Sequence, residues 1–149
     1  MPLERLYEEI SRYLWECNKI IHKKGHKIAT EYGLTYDQYH LLIYLKKLKT
    51  PPTINDISDK LNLAQNTVSE KISRMEEKGL VSRVDDDNDR RITRVLITGK
   101  GLDLIEIIKK EKSNRITYSA LSKLDEEEVN NLLLYLEKLY ISLQEGDYD

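Results

Sequence analysis

The chain has 149 residues, with 24 Lys and Arg against 26 Asp and Glu and a net charge of −2. This length suits one domain with its own hydrophobic core, and the balanced charge argues against a nonspecific polycationic binder of nucleic acid while allowing a local basic patch. A lone cysteine excludes an intrachain disulfide framework, and no stretch matches a signal peptide or a membrane span, so we expect a cytoplasmic protein with no membrane partner.

The first predicted element is a long amphipathic helix. Leu6, Ile10, Tyr13 and Cys17 alternate at spacings of three and four residues, a pattern typical of a helix that packs on another helix. Gly33 is where we expect it to end. A helix of about 28 residues would be about 40 Å long, which exceeds what the core of so small a domain needs. We therefore expect an additional partner surface on this helix.

Two more helices are predicted by their start and stop signals. Thr35 and Gln38 have the spacing of a capping box, and the apolar stretch that follows ends before the Pro51-Pro52 pair. Thr53, with Asp56 three residues later, then begins the next helix.

A further helical pattern follows after only three residues, 62–64. In it, Val68, Ile72 and Met75 recur at i, i+4 and i+7, which predicts its buried face. Two helices joined by so short a turn form a helix-turn-helix, in which the second helix lies in the DNA major groove.

The exposed face of this second helix carries mostly short polar side chains, which suit contacts with base edges and phosphates. Its N-terminal end also favours phosphate through the free helix N–H groups. A solvated surface helix would have the same spacing, and that alternative stays open here. The residues predicted to contact DNA are Gln65, Asn66, Thr67, Ser69, Glu70, Ser73 and Arg74.

Residues 80–84 and 90–98 are rich in β-branched side chains and flank an Asp/Asn turn, which predicts a β-hairpin. Four acids directly precede Arg90 and Arg91, so Asp–Arg pairs would stiffen the turn while one guanidinium projects from its tip. An arginine there suits the narrow DNA minor groove. A merely solvated turn is the alternative, and a calcium loop is disfavoured because its glycine and distal glutamate are missing.

Two helices are predicted after the hairpin. The first breaks near residues 122–124, and Asp125 with Glu128 forms a capping pair for the second. So apolar a terminal helix needs a partner, and closed two-fold dimers predominate among oligomers. The predicted dimer interface comprises Leu6, Ile10, Tyr13, Leu132, Leu136, Leu139 and Leu143.

The run from residue 54 to residue 98 resembles the MarR family of winged-helix regulators. The motifs that carry the resemblance include Asn66-Thr67-Val68-Ser69, Lys78-Gly79-Leu80-Val81 and Asp89-Arg90-Arg91. The flanking helices are organised as in the family, so the resemblance covers nearly the whole chain. It implies a mainly α fold with a small β-hairpin wing: a single two-lobed domain, 1–149, in which a winged helix-turn-helix lobe at 35–100 is flanked by dimerisation helices at 1–34 and 101–149.

The resemblance also implies a function. Members of the family bind a pseudo-palindromic double-stranded operator as homodimers, usually as repressors, and release it when a small molecule or an oxidant changes the spacing of the two heads. Arg90 would enter the minor groove, and Arg91 would pair with Asp86 or Asp89 to set the wing. Glu70 stands where an arginine is common, so this operator is expected to differ, because a carboxylate accepts from a cytosine amino group or repels phosphate.

Ligands of the family bind between the dimerisation helices and the DNA-binding lobe. His22, His26, Tyr36, Tyr39 and His40 fall near that junction and could orient a phenolic or anionic effector, although ordinary packing explains each equally well.

Some members of the family sense peroxide through an N-terminal cysteine. The position of that cysteine is occupied by Ser11 in this chain, not by Cys17. Cys17 occupies an apolar position with little reason for a low pKa, so we predict a structural, buried cysteine.

Three other classes of function are less well supported by the residues. No HExxH, GxSxG, P-loop or paired CxxC motif occurs, so we predict neither an enzyme nor a cofactor. His22 and His26, at i and i+4, leave a metal-responsive regulator as a weak alternative, although no metal site is predicted. A winged helix used only for protein–protein contacts is the more serious rival.

Overall fold

The computed structural model describes residues 1–146 and divides the chain into two compact units, with the boundary between Lys112 and Ser113. The first unit contains α1 (Leu3–Glu31), α2 (Tyr36–Lys47), α3 (Ile54–Leu61), α4 (Gln65–Glu77), β1 (Val81–Asp85), β2 (Thr93–Ile97) and α5 (Gly99–Lys112). The second contains a short π-helix (Ser113–Tyr118), α6 (Ser119–Leu121) and α7 (Glu126–Glu145). The predicted fold class is confirmed: the chain is mainly helical with one antiparallel hairpin. The predicted division into lobes stays a prediction.

The helix starts that the sequence predicts are present. The Thr35 hydroxyl accepts a hydrogen bond from the Gln38 N–H, and the Gln38 side chain accepts one from the Thr35 N–H. Thr53 and Asp56 form the same reciprocal pair at the start of α3. Each box satisfies two helix N–H groups that have no partner within the helix. Helix α1 ends at Glu31, two residues before the predicted stop.

The α3–α4 turn is closed by local hydrogen bonds. Asn62 adopts the left-handed conformation with φ 52°, and the buried Ser58 hydroxyl donates to the Leu63 carbonyl at 2.5 Å. Asparagine tolerates this conformation better than most residues. The two helices therefore form the predicted helix-turn-helix.

Helix α4 is fixed to the unit by its apolar face. Val68, Ile72 and Met75 are each 0% exposed, which confirms the buried face that their spacing predicts. On α3, Ile57 is buried, whereas Leu61 is 37% exposed.

Glycine is required at both ends of the hairpin. Gly79 ends α4 with φ +76°, and the following Leu80 N–H donates back to the Met75 carbonyl, as in the usual glycine-terminated helix end. At the start of α5, a Cβ on Gly101 would lie 2.4 Å from the Leu80 carbonyl oxygen. Side chains are therefore excluded where α5 meets the end of the α4–β1 connection.

The hairpin is joined to the segment before α3. Strands β1 and β2 pair antiparallel, with Val81 opposite Ile97 and Asp85 opposite Thr93. The Val95 N–H donates to the Pro52 carbonyl at 2.9 Å, and an isolated bridge joins residues 53 and 94. These bonds join the middle of β2 to the start of the helix-turn-helix.

The second unit contrasts with this packed arrangement. Asp125 and Glu128 form the capping box that the sequence predicts for α7. No residue of α7 is buried, and its leucines are exposed or half-buried. Over residues 1–146, no helix combines the length and the apolar character needed to cross a membrane.

Candidate nucleic-acid interface

The exposed face of α4 carries polar side chains that are free of intramolecular bonds. Within the described part of the chain, no hydrogen bond or ion pair is formed by the side chains of Asn66, Thr67, Glu70 and Arg74, and all four residues are exposed. Gln65 donates to the Asn55 side chain at 2.8 Å across the turn. This face can therefore offer donors and acceptors to an external ligand.

The N-terminus of α4 is also free of a side-chain cap. Its N-cap residue is Ala64, which makes no capping hydrogen bond, whereas α2, α3 and α7 each begin at a full capping box. The first N–H groups of a helix have no partner within the helix and carry a partial positive charge. An uncapped end of this kind suits an anion such as a backbone phosphate.

Ser69 and Ser73, two residues predicted to contact DNA, are already bonded within the molecule. Arg83 on β1 donates through Nη2 to both serine hydroxyls, each at 3.1 Å, and to the Ser69 carbonyl at 2.8 Å. Its Nη1 donates to Glu76 at 3.0 Å. Arg83 therefore joins the hairpin to α4. This role was not predicted from the sequence, in which the available signal was an arginine in a predicted strand that follows a helix with serines spaced four residues apart.

The hairpin turn is stiffened by two Asp–Arg pairs. Arg91 donates to both carboxylate oxygens of Asp89, at 3.0 and 2.9 Å. Of the two partners predicted for Arg91, Asp89 is therefore the one it binds, whereas Asp86 accepts a hydrogen bond from Arg94 at 2.6 Å. Arg94 stands on β2, paired with Val84 near the turn, and was not predicted from the sequence as a residue of the site.

Hydrogen bonds hold both turn carboxylates in the charged form. The Arg94 bond, together with the N–H groups of Asn88 and Asp89, lowers the pKa of Asp86 below its ordinary value. The pKa of Asp89 is lowered mainly by its bond from Arg91. Arg94 also donates to the Pro51 carbonyl at 2.7 Å, so the turn is tied to the segment before α3.

Arg90 stands apart from these pairs. It lies in the turn between two residues that bond each other, is exposed, and has no hydrogen bond or ion pair with any residue from 1 to 146. The arrangement leaves one free guanidinium in a fixed turn, within the same compact unit as the exposed polar face of α4.

The five residues predicted to bind an effector come together between α1 and α2. The Tyr36 ring lies 5.3 Å from His26 and 4.1 Å from His40, and its hydroxyl is hydrogen-bonded to His22 Nδ1. Tyr39 is buried beside His40, with ring centroids 5.7 Å apart. Effector binding itself stays a prediction.

Burial tunes the titratable groups next to this cluster. The pKa of His40 is lowered first by its partial burial and then by the nearby positive charge of Lys112. Lys112 lies over the Tyr39 ring at 5.0 Å, and burial lowers its pKa as well. His40 is therefore favoured as the neutral imidazole, which can both donate and accept a hydrogen bond.

The predicted dimer residues have little cover in the single chain. Leu6, Ile10 and Tyr13 are 41%, 52% and 58% exposed. On α7, Leu132, Leu136 and Leu143 are exposed and Leu139 is half-buried.

The prediction of a buried Cys17 is wrong for the single chain, in which this residue is exposed. The apolar stripe that contains it has no covering element in the first unit. No group of three or more His, Cys, Asp or Glu positioned to hold a metal ion occurs in residues 1–146.

Comparison with known proteins agrees with this architecture. The family model described as the MarR family matches residues 34–93. The HTH-type transcriptional regulator YsmB of Bacillus subtilis is 36% identical over 112 residues, which cover 74% of this chain and 75% of that protein. MhqR, another HTH-type transcriptional regulator of B. subtilis, is 32% identical over 127 residues, covering 85% and 79%.

Solved structures extend the similarity to the fold. The transcriptional regulator Tm0710 from Thermotoga maritima superposes with a TM-score of 0.83 at 28% identity, covering 92% of this chain and 95% of that one. A single-site mutant of S. aureus MepR, bound to an oligodeoxyribonucleotide, gives a TM-score of 0.68 at 26% identity, covering 96% and 99%. The chain therefore belongs to the MarR family of transcriptional regulators and has its winged helix-turn-helix fold.

Proposed function

We propose that this regulator binds a pseudo-palindromic DNA operator as a homodimer and acts as a repressor of a small set of genes. The observation that carries the proposal is the contrast among the arginines of the hairpin. Arg91 and Arg94 are held by Asp89 and Asp86, whereas the side chain of Arg90 is free and exposed, as is the polar face of α4. The oligonucleotide bound to the MepR mutant supports DNA as the ligand of this fold.

In this proposal α4 reads the major groove and the hairpin turn enters the minor groove. Asn66 and Thr67 lie at the uncapped start of α4, where base edges and phosphates are both within reach of a recognition helix. Arg90 inserts into the minor groove, where a narrow groove concentrates negative potential. The Asp–Arg pairs keep the turn in shape, so little conformational entropy is lost when it binds.

A second copy supplies the symmetry that a pseudo-palindrome needs. The apolar stripes of α1 and α7 lack cover in the single chain, and pairing two copies through them would bury both. The two α4 helices would then enter successive major grooves, about 34 Å apart.

Release by an effector is proposed to begin at the cluster between α1 and α2. A phenolic or anionic ligand would compete for the bond between His22 and Tyr36, using neutral His40 as a further donor. Helix α1 carries the proposed dimer surface, and α2 packs on β2 of the DNA-binding hairpin. A ligand between α1 and α2 would therefore couple the spacing of the dimer to DNA binding.

Selection of bound duplexes from a random pool tests the proposal. Recovery of an inverted repeat with half-sites one helical turn apart is expected, and Glu70→Arg should change the preferred bases without abolishing binding. Recovery of no duplex above background would contradict DNA recognition and favour a winged helix that contacts only proteins.

The same selection repeated with phenolic compounds and with peroxide tests release. A phenolic ligand should lower the fraction of bound duplex in the wild type and not in Tyr36→Phe. Release by peroxide that requires Cys17 would instead establish the redox-responsive alternative.

A further inference from the structure

A cavity lies on the side of α2 that faces the helix-turn-helix. It has a volume of about 600 Å³ and is bounded by α2, the end of α3, the α3–α4 turn and the middle of α4. This volume falls within the range of small-molecule sites in proteins, about 300–1,000 Å³. The functions proposed above use only one residue of its lining, His40.

Aliphatic side chains form the floor of the cavity. Leu41 and Met75 belong to the core, whereas Leu61 and Leu63, on either side of the left-handed Asn62, are each 37% exposed. The αL turn therefore directs two leucines toward solvent at one place. Tyr44 is the one aromatic residue of the lining apart from the histidine discussed below.

Three lysines surround this apolar floor, and each comes from a different helix. Lys47 belongs to α2, Lys60 to α3 and Lys71 to α4. Lys60 lies 5.9 Å from the centre of the Tyr44 ring. The one acid in the lining is Asp37, which is 3.7 Å from Lys71 and well exposed to solvent. Asp37 and Lys71 neutralise each other, so Lys47 and Lys60 leave the rim with a net positive charge.

We propose that this cavity binds a small amphipathic anion with an aliphatic body, of the medium-chain carboxylate class. Aliphatic walls favour a flexible hydrocarbon chain over a planar ring, and compact ammonium groups attract a carboxylate without requiring the planar two-point geometry of arginine. The carboxylate lies at the rim with Lys47 and Lys60, and the chain covers Leu61 and Leu63.

Duplex phosphate is the competing ligand for the same lysines. Phosphates require positive charge but no apolar floor, so the exposed leucines favour the amphipathic anion. The site also differs from the cluster between α1 and α2, which is built mainly of aromatic rings. His40 is the residue that the two sites share. The proposal does not rest on DNA binding, and its test needs no duplex.

Titration calorimetry with decanoate, below the concentration at which it forms micelles, tests the proposal on the full chain. We expect one site per chain for decanoate, with decanol binding on the order of tenfold more weakly because it lacks the charge, and acetate on the order of a hundredfold or more weakly because it lacks the chain. Equal binding of decanol and decanoate would overturn the role of the lysines.

Matched variants locate the site. Lys47→Gln combined with Lys60→Gln should weaken decanoate binding about tenfold, since two charge-assisted contacts are lost. Lys109→Gln combined with Lys110→Gln, on the exposed side of α5, should leave it unchanged. Leu63→Asn should weaken decanoate but not acetate, and an unchanged thermal unfolding midpoint without ligand confirms that this variant folds.

Two results would overturn the site. One is decanoate affinity that is equal in the wild type and in the Lys47/Lys60 double variant. The other is loss of DNA affinity in that double variant with decanoate affinity intact, which would assign the lysines to duplex phosphates.

Discussion

Helices α4 and α7 are both amphipathic, but different groups find partners within the chain: the apolar face in α4 and the N-terminal N–H groups in α7. Helix α4 buries Val68, Ile72 and Met75 completely but lacks a side-chain cap at its N-terminus. Helix α7 has a full capping box but buries no residue. What each helix leaves unsatisfied differs accordingly: α4 leaves N–H groups and a polar face, and α7 leaves an apolar stripe.

The difference identifies the kind of partner that each helix needs. Uncapped N–H groups and free polar side chains are stabilised by an anionic, hydrogen-bonding surface such as DNA. An exposed leucine stripe is stabilised by another apolar surface, which a second copy of the same chain would supply in the proposed homodimer. These two kinds of partner are the ones that the sequence predicts for the two helices.

The largest effect is expected from disrupting the apolar leucine stripe of α7. Leu136→Glu puts a charge into the proposed interface and should give monomers in sedimentation velocity, with DNA affinity lowered by about two orders of magnitude or more because both half-sites must be bound together. Asn131→Glu, on α7 away from that stripe, is the matched control and should remain dimeric. A dimer that persists in Leu136→Glu would place the interface elsewhere.

Removing the free guanidinium of Arg90 tests whether the hairpin contacts DNA. Arg90→Ala should weaken operator binding about tenfold, and the slope of log K against log salt should become shallower by about one per subunit, since each subunit loses one phosphate or minor-groove contact. Titration of a fluorescent duplex at several salt concentrations measures both. Arg5→Ala, an exposed arginine of α1, is the control, and an Arg90→Ala protein indistinguishable from it would remove the hairpin from the interface.

A smaller effect, on stability, is expected at Arg83, which ties α4 to β1. Arg83→Lys cannot reach Ser69, Ser73 and Glu76 together and should lower the free energy of unfolding by about 1–2 kcal/mol. Urea denaturation followed by circular dichroism measures this loss.

Ser73→Ala distinguishes two roles of the Ser73 hydroxyl, which are accepting a hydrogen bond from Arg83 and contacting DNA. A variant that is less stable but binds DNA normally when folded would assign the Ser73 hydroxyl to the Arg83 network. Normal stability with weaker DNA binding would assign it to the duplex.

The smallest effect is expected from pH, and it belongs to the first unit because α7 contains no histidine. His40 is favoured as neutral in the folded chain, so its contribution to stability is complete above the ordinary histidine pKa of about 6.5 and is lost as pH falls through its lowered folded pKa. The urea midpoint should therefore decrease between pH 7 and pH 5, and His40→Asn should reduce that decrease. A pH dependence identical in both proteins would exclude His40 as its source.

Local signals in the sequence predicted most of the fold. The capping boxes at Thr35, Thr53 and Asp125 and the stripe of α4 depend on residues a few positions apart, so spacing alone was enough. The pair of Asp89 and Arg91 is local in the same sense.

What the sequence missed depends on residues far apart in the chain. Arg94 reaches Asp86 across the hairpin and Pro51 beyond it, and Arg83 reaches back to α4, because strand pairing decides which side chains meet. Burial of Cys17 was predicted from its position in an apolar stripe, but a stripe predicts a buried face only when an element covers it.

The salt dependence of binding to a selected duplex tests the central claim most directly. Measured by fluorescence anisotropy together with sedimentation of the complex, two chains should bind one duplex, and log K should fall linearly and steeply with log salt, as displacement of counterions by several cationic contacts requires. A salt-independent affinity, or a complex with one chain per duplex, would contradict recognition of DNA by a dimer through α4 and the hairpin.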